Sequence, residues 1–433
     1  MLDKTPLSLS GEFKDALDIL ENSDCNVFVT GRAGTGKSTL LNIFRNSSRK
    51  RIAVLAPTGI AALNVKGQTL HSFFGFPPKM INPSDIHKRR NPSMYRKVEI
   101  IVIDEISMVR ADMLDNIDIF LRKNRDSNLP FGGVRMIFFG DLFQLPPVVA
   151  SPLEREYFKT RYESPYFFSS DIMTGLENLE VISLNKVYRQ DERLFIRILD
   201  NIRTRHFDED DLETLNQRHT EKEEDLNYIT LTSRNNIAFE INDKAIRALD
   251  QELFFYNAII TGEFNQRLFP TETSLSLKLG AQVMFVKNDP DKRFVNGTIG
   301  KIVSIDRDHI HVQIRKMDGD LLVIELEQLE WEILKYDINS DDKTQIKTKI
   351  IGTFKQYPIK LAWAITIHKS QGKTFDRVII DLGSGAFEYG QTYVALSRCR
   401  SFDGIILKRP LKPKDIIVDQ RIVEFYEQLR YYL

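Results

Sequence analysis

Gly31-Arg-Ala-Gly-Thr-Gly-Lys-Ser38 has the spacing of a phosphate-binding loop. Gly31, Gly34 and Gly36 free the backbone to curl, so that several N–H groups face one anion. Lys37 then meets the β- and γ-phosphates of a nucleoside triphosphate, and the Ser38 hydroxyl reaches its Mg²⁺. Ala33, Thr35 and Thr39 complete the expected contacts of this loop. A second constellation, Ile100-Ile-Val-Ile-Asp-Glu105, is an apolar run that ends in two acids. A carboxylate at the C-terminal end of a parallel strand faces the crevice where ligands bind. Asp104 is therefore expected at the metal, and Glu105 as the base that positions and deprotonates the attacking water. A nucleotide-controlled switch has little use for such a base, so the pair favours hydrolysis. The third constellation is Phe139-Gly-Asp-Leu-Phe-Gln-Leu-Pro-Pro147. Its Gln144 can bond both the γ-phosphate and the water, and Asp141 can support the metal shell.

These groups need strands to deliver them. Apolar runs at Asn26–Thr30, Arg51–Ala56, Glu99–Ile103 and Arg135–Phe139 each end in Gly, Pro or Asp and alternate with helical stretches. That alternation predicts a parallel sheet covered on both faces. Similar runs return at Tyr228–Thr232, Arg377–Asp381 and Gly404–Lys408, which predicts a second α/β domain. Between them the texture changes to short alternating strands at Gly297–Ile305, His309–Arg315 and Leu321–Leu326. Turn signals at Asp306–Asp308 and Met317–Asp320 separate these strands. The fold class is thus α/β, with two parallel-sheet domains and a small inserted antiparallel barrel. The expected bounds are 1–176 for the first domain, 177–287 with 356–433 for the second, and 288–355 for the barrel. A proline-containing stretch, Gly75–Lys97, is a further insertion in the first domain (Pro77, Pro78, Pro83 and Pro92). It carries His87, Lys88, Arg89, Arg90, Arg96 and Lys97 around Tyr95, and reads equally as a solvated loop or as a phosphate contact.

Lys and Arg number 60, as do Asp and Glu, so no overall basic field draws in nucleic acid and any such partner needs a local track. The two cysteines, Cys25 and Cys399, cannot alone form a four-cysteine metal site and read as unpaired thiols. No apolar run is long enough to cross a bilayer, and the first residues lack signal or transit character, so the expectation is a soluble cytoplasmic or nucleoid-associated protein.

Gly31–Ser38, Asp104–Glu105, Gly140–Pro147, Tyr188–Gln190, Thr366–Gly372 and Tyr393–Arg400 stand in the order used by superfamily-one helicases. Three further stretches make the chain resemble the petite-integration-frequency (PIF) family of DNA helicases: Ala56–Leu63 with Gly67–Phe74, Leu153–Tyr162 running to Phe168, and Leu361–Gly372. The resemblance covers nearly the whole chain. It implies two RecA-like domains with ATP and Mg²⁺ between them, and a Src-homology-three-like barrel inserted in the second. Spacing alone does not select arginines for the γ-phosphate; the resemblance assigns Arg189 and Arg398, and adds Gly372 to the nucleotide contacts. It also implies 5′-to-3′ movement on single-stranded DNA, with forked duplex, RNA–DNA hybrid and G-quadruplex as substrates; the two-domain motor geometry needs only one chain, so a monomer is the expected functional unit. Thr58, Gly59 and His71 in the first domain, and Thr366, His368 and Lys369 in the second, are the implied strand contacts. Phe73, Phe74 and Phe143 are candidates for base contact or for the core. Arg155, Lys159 and Arg161 are placed beside the strand, packed down by Tyr157, Phe158 and Tyr162. One departure is Phe13, which stands where the family often has an adenine-reading glutamine; it packs either near the base or in the core of the first helix.

Overall fold

The structure is a computed structural model, and it describes residues 10–431 apart from 78, 150, 177, 191, 221–227, 265, 290, 292, 316–318 and 339–345. Part of the expected Met317–Asp320 turn and Pro78 therefore lie outside the described residues.

The first sheet has six parallel strands in the spatial order Gln68–Thr69, Ile52–Ala56, Ile100–Ile103, Arg135–Gly140, Asn26–Gly31, Leu179–Leu184. Successive side chains leave opposite faces, as the period of a strand requires. Val27, Val29, Ile137 and Phe139 join one core with the helices Gly11–Asn22 and Lys37–Ser47. Phe28, Met136 and Phe138 join the other, with the helix Ala111–Arg125. Both faces are thus buried, which explains why these strands read as continuous apolar runs.

Three boundaries differ from expectation. Leu179–Leu184 pairs with the phosphate-loop strand, so the first sheet extends past residue 176. The helix Gln420–Tyr431 packs Ile422, Phe425 and Tyr426 onto the first domain's core, not the second's. Its rings decide this: Phe425 stacks on Phe168 at 4.4 Å, and Tyr426 stacks on Phe143 at 5.2 Å. Sequence periodicity marks that helix but cannot show which domain receives its apolar face.

The second parallel sheet is smaller, in the order Ala364–Thr366, Ile229–Thr232, Val378–Asp381, Ile405–Leu407. The inserted element is a five-stranded antiparallel sheet, Leu321–Glu325, Ile310–Arg315, Ile299–Ile305, Gln282–Phe285, Ile359–Leu361. Its first and last strands in sequence fall outside 288–355, so the insert is wider than expected. A feature the sequence reading missed is a long hairpin, Leu329–Ile338 with Ile346–Gln356, paired to Ile259–Gly262. This arm crosses to the first domain. The Tyr336 hydroxyl accepts a hydrogen bond from the Val54 N–H at 2.8 Å, and the Tyr336 ring meets Phe73 edge-on.

Cys25 and Cys399 are free thiols. Among the described residues no helix is long and apolar enough to cross a membrane.

Candidate nucleotide cleft and nucleic-acid surface

The strand Asn26–Gly31 feeds the phosphate loop, and the helix Lys37–Ser47 follows it. Gly34 and Gly36 take positive φ of 86° and 84°. Space demands glycine as well as conformation: a Cβ at Gly34 would stand 2.6 Å from the Arg189 Cβ, and one at Gly36 would stand 2.9 Å from the Phe13 ring. Phe13 is buried in the first core, so the core alternative holds for it. The loop is fastened to the next segment by the Tyr188 N–H, which donates to the Gly34 carbonyl at 2.8 Å.

A cavity of about 700 Å³ opens over this loop. Ala33, Gly34, Gly36, Lys37, Ser38, Thr39, Asp104, Glu105, Gln144, Arg189, Gly372 and Arg398 all line it. Gly31 and Thr35 do not line it. Thr35 is buried, and its hydroxyl turns inward to the Arg32 carbonyl at 3.0 Å. Gly31 lies beneath the loop, where a Cβ would meet the Leu184 carbonyl and the Thr35 hydroxyl.

The electrostatics of this cavity are unbalanced in a telling way. Lys37 folds back on the Gly31 and Arg32 carbonyls at 2.7 and 2.9 Å, and burial lowers its pKa although Asp141 and Glu105 oppose the shift. Burial raises the Asp104 carboxyl to about 7, and the neighbouring Glu105 adds to the rise. Glu105 is also shifted up, by burial first, and sits in a left-handed conformation at φ 51°. Across the cavity, Arg189 donates to the Ser397 carbonyl at 3.0 Å. Burial, with Arg398 close by, pushes Arg189 down to about 9. Arg398 is 1% exposed and donates to the Val394 carbonyl and the Ser397 hydroxyl at 3.0 and 2.9 Å. Among the described residues both guanidiniums are bonded by neutral oxygens. Buried cations without bonded anions favour an anionic ligand, because burial of an uncompensated charge is costly.

Several participants were not singled out from sequence. Gln371 donates to Glu105 at 3.2 Å and to the Gln144 side-chain oxygen at 3.4 Å, and so bridges the two residues expected to handle water. It lies inside a motif that the sequence marks, but spacing does not say which of its side chains turns inward. Glu192, Thr374, Arg400 and Ser401 also line the cavity. Arg32 reaches across to Asp200 at 2.5 Å.

The implied strand contacts fall into three groups. Thr58 and Thr366 each cap a short helix at a strand's C-terminal end, accepting from the Ala61 and Lys369 N–H groups. Gly59 begins the first of those helices, where a side chain would strike Leu268. His71 is half-buried, with its pKa lowered by burial and then by Arg110; His368 pairs with Glu388 at 2.8 Å; Lys369 is exposed. Phe73 and Phe143, at 3% and 6% exposure, lie in the core with Phe74 in this structure.

The basic segments also have other occupations. Lys88 and Arg96 pair with Asp126, and Arg89 donates to the Phe74 carbonyl. Tyr95 is buried, with its hydroxyl on the Phe73 carbonyl at 2.8 Å. His87 and Arg90 remain exposed on this insertion. In the helix Pro152–Arg161, Phe158 is buried, Arg155 and Lys159 are exposed, and Arg161 is paired with Asp171.

The profile of PIF1-like helicases matches residues 10–211, and that of the 2B domain of DNA helicase Pif1 matches residues 263–305. The ATP-dependent DNA helicase Pif1 of Bdellovibrio bacteriovorus is 35% identical over 433 aligned residues, covering 98% of this chain and 92% of that one. The chain belongs to the PIF1-like helicases. It is an ATP-dependent DNA helicase of that family. A crystal structure of Pif1 from Bacteroides sp in complex with ADP-AlF4 superposes at TM-score 0.90 with 36% identity, covering 98% of this chain and 97% of that one. The Bacteroides Pif1 bound to single-stranded DNA superposes at 0.70 with 37% identity and the same coverage. This PIF1-like helicase therefore has a domain arrangement nearer to the former.

Proposed function

We propose that this PIF1-like helicase moves 5′ to 3′ on single-stranded DNA as a monomer and unwinds forked duplex, RNA–DNA hybrid and G-quadruplex, driven by Mg-ATP hydrolysis. The observation that carries the motor reading is convergence: Lys37 and Glu105 from one domain, and Arg189 and Arg398 from the other, line a single cavity. Polarity and the range of substrates rest on the family resemblance.

Lys37, Arg189 and Arg398 neutralise the charge that develops on the γ-phosphoryl group. Glu105 takes the proton of the attacking water, and Gln144 orients that water. The Ser38 hydroxyl and the Asp104 carboxylate both line the cavity, and such hard oxygens suit Mg²⁺. The bound ion would neutralise phosphate charge. The triphosphate joins two domains, and its cleavage lets them part. Thr58, Gly59 and His71 grip the strand in one domain, and Thr366, His368 and Lys369 in the other. Alternating grip turns each cycle into a directed step. The arm that carries Tyr336 rests on the first domain through Val54, and strand binding would release it.

The test is unwinding of partial duplexes with either a 5′ or a 3′ overhang, in ATP and Mg²⁺. Unwinding from the 5′ overhang alone is expected. Activity from the 3′ overhang alone overturns the polarity. An ATPase that single-stranded DNA does not stimulate favours a nucleotide switch over a motor.

A further inference from the structure

Arg203 lies in the last turn of the helix Arg193–Thr204, which packs in the second domain's core. Its guanidinium crosses to the first domain and gives two bonds to Asp141 Oδ1, at 2.8 and 3.2 Å. The carbon of that guanidinium lies 4.3 Å from the Phe143 ring centroid. The ion pair is shut away from water, with side-chain exposures of 13% and 0%. Burial by itself would raise the Asp141 carboxyl, but Arg203 and Lys37 outweigh it and hold the group below its ordinary value.

Asp141 has a second oxygen, and its partners are the informative part. Oδ2 accepts from the Gln144 amide at 3.2 Å and from the Tyr393 hydroxyl at 3.3 Å. That hydroxyl accepts in turn from the Ala33 N–H at 2.9 Å, inside the phosphate loop. One carboxylate thus ties the γ-phosphate residue Gln144 to two second-domain side chains, Arg203 and Tyr393. Phe143 is itself fixed, stacked at 8° on Tyr426, whose hydroxyl is 2.6 Å from that of Thr30. Arg203 does not line the cavity; its guanidinium is engaged by Asp141 instead.

We infer that Arg203 is a positioning residue: through Asp141 it sets the Gln144 carboxamide, so that displacement of the second domain is felt at the γ-phosphate. The inference rests on the proposed role of Gln144. Lysine would preserve the charge but neither the two-pronged bond nor the guanidinium contact with the Phe143 ring. Arg203→Lys is therefore the informative variant. Arg203→Ala would leave Asp141 buried and unpaired, which endangers folding.

The experiment is a double-mutant cycle of Arg203→Lys and Gln144→Ala in the full chain, with active sites counted by a fluorescent ADP. Per active site, Arg203→Lys is expected to lower DNA-stimulated kcat by about tenfold and to change KM for ATP by less than about twofold. The double variant should be no slower than Gln144→Ala alone, because the two residues act through one carboxylate. The ratio of single-strand affinities with and without a non-hydrolysable ATP analogue should also collapse toward one. A merely structural ion pair would lower the melting temperature and leave these three readouts at wild-type values, which overturns the inference. Additive effects in the cycle overturn it too. A wild-type ATPase insensitive to single-stranded DNA would instead defeat the motor reading, and the cycle would then be read on basal turnover.

Discussion

The nucleotide cleft and the candidate strand surface are built on opposite principles. In the cleft, Lys37, Arg189 and Arg398 are bonded to carbonyl and hydroxyl oxygens, with burial holding all three below their ordinary pKa. On the strand surface the polar groups already have partners: Thr58 and Thr366 cap helices, and His368 pairs with Glu388. The cleft is charged against its own stability and is relieved by an anion. On the candidate strand surface, helix capping and ion pairing already hold those groups in place. Under the proposed motor reading, the buried cations would hold the nucleotide and the capped and paired groups would meet the strand.

The comparison can be broken at either end. Lys37→Ala should bring ATP turnover and unwinding to background, measured by phosphate release and strand separation. Arg398→Ala should cut kcat by on the order of a thousandfold, as for other arginines that meet a transferring phosphoryl group. Normal turnover in that variant would remove Arg398 from the site. Phe73→Ala should cost about 3–5 kcal/mol of stability, as large aromatic core deletions do. Its single-strand affinity per folded molecule should barely move; the reverse pattern, a stable protein with weakened DNA binding, would restore Phe73 to the strand surface.

Asp104 offers a finer test. Its folded pKa is raised, so its contribution is favourable below the unfolded value and is lost as pH rises through about 7. Asp104→Asn should therefore raise the melting temperature of the nucleotide-free protein by roughly 2 °C or more at pH 8, with little effect at pH 4. An equal change at both values would show that the cleft is not electrostatically strained. The smallest effect belongs to Thr366→Ala. Loss of its cap costs about 1 kcal/mol, and single-strand affinity should fall by only about fivefold in a filter or anisotropy assay.

The cleft was legible because its chemistry is local. A loop of eight residues and a strand ending in Asp104–Glu105 carry their meaning in spacing, and the alternation of strands and helices fixes which crevice they face. The second domain's arginines were not legible that way, since Arg189 and Arg398 gain their roles only when two chain segments meet. Gln371 and Arg203 escaped for the same reason. The aromatic candidates stayed open between base and core because sequence shows a ring but not its exposure: Phe73 and Phe143 sit amid rings brought in from Tyr95, Tyr336 and Tyr426. The arm at Leu329–Gln356 was read only as part of an inserted barrel, because alternating residues do not reveal what a hairpin leans on.

The helix Gln420–Tyr431 has a consequence for biosynthesis. It supplies Ile422, Phe425 and Tyr426 to a core most of whose other members lie far upstream, between Phe28 and Val181. A ribosome must therefore finish the whole second lobe before the first can be sealed. Until then Phe28, Phe143 and Phe168 lack their covering, and the nascent chain presents an oily seam of the sort chaperones hold.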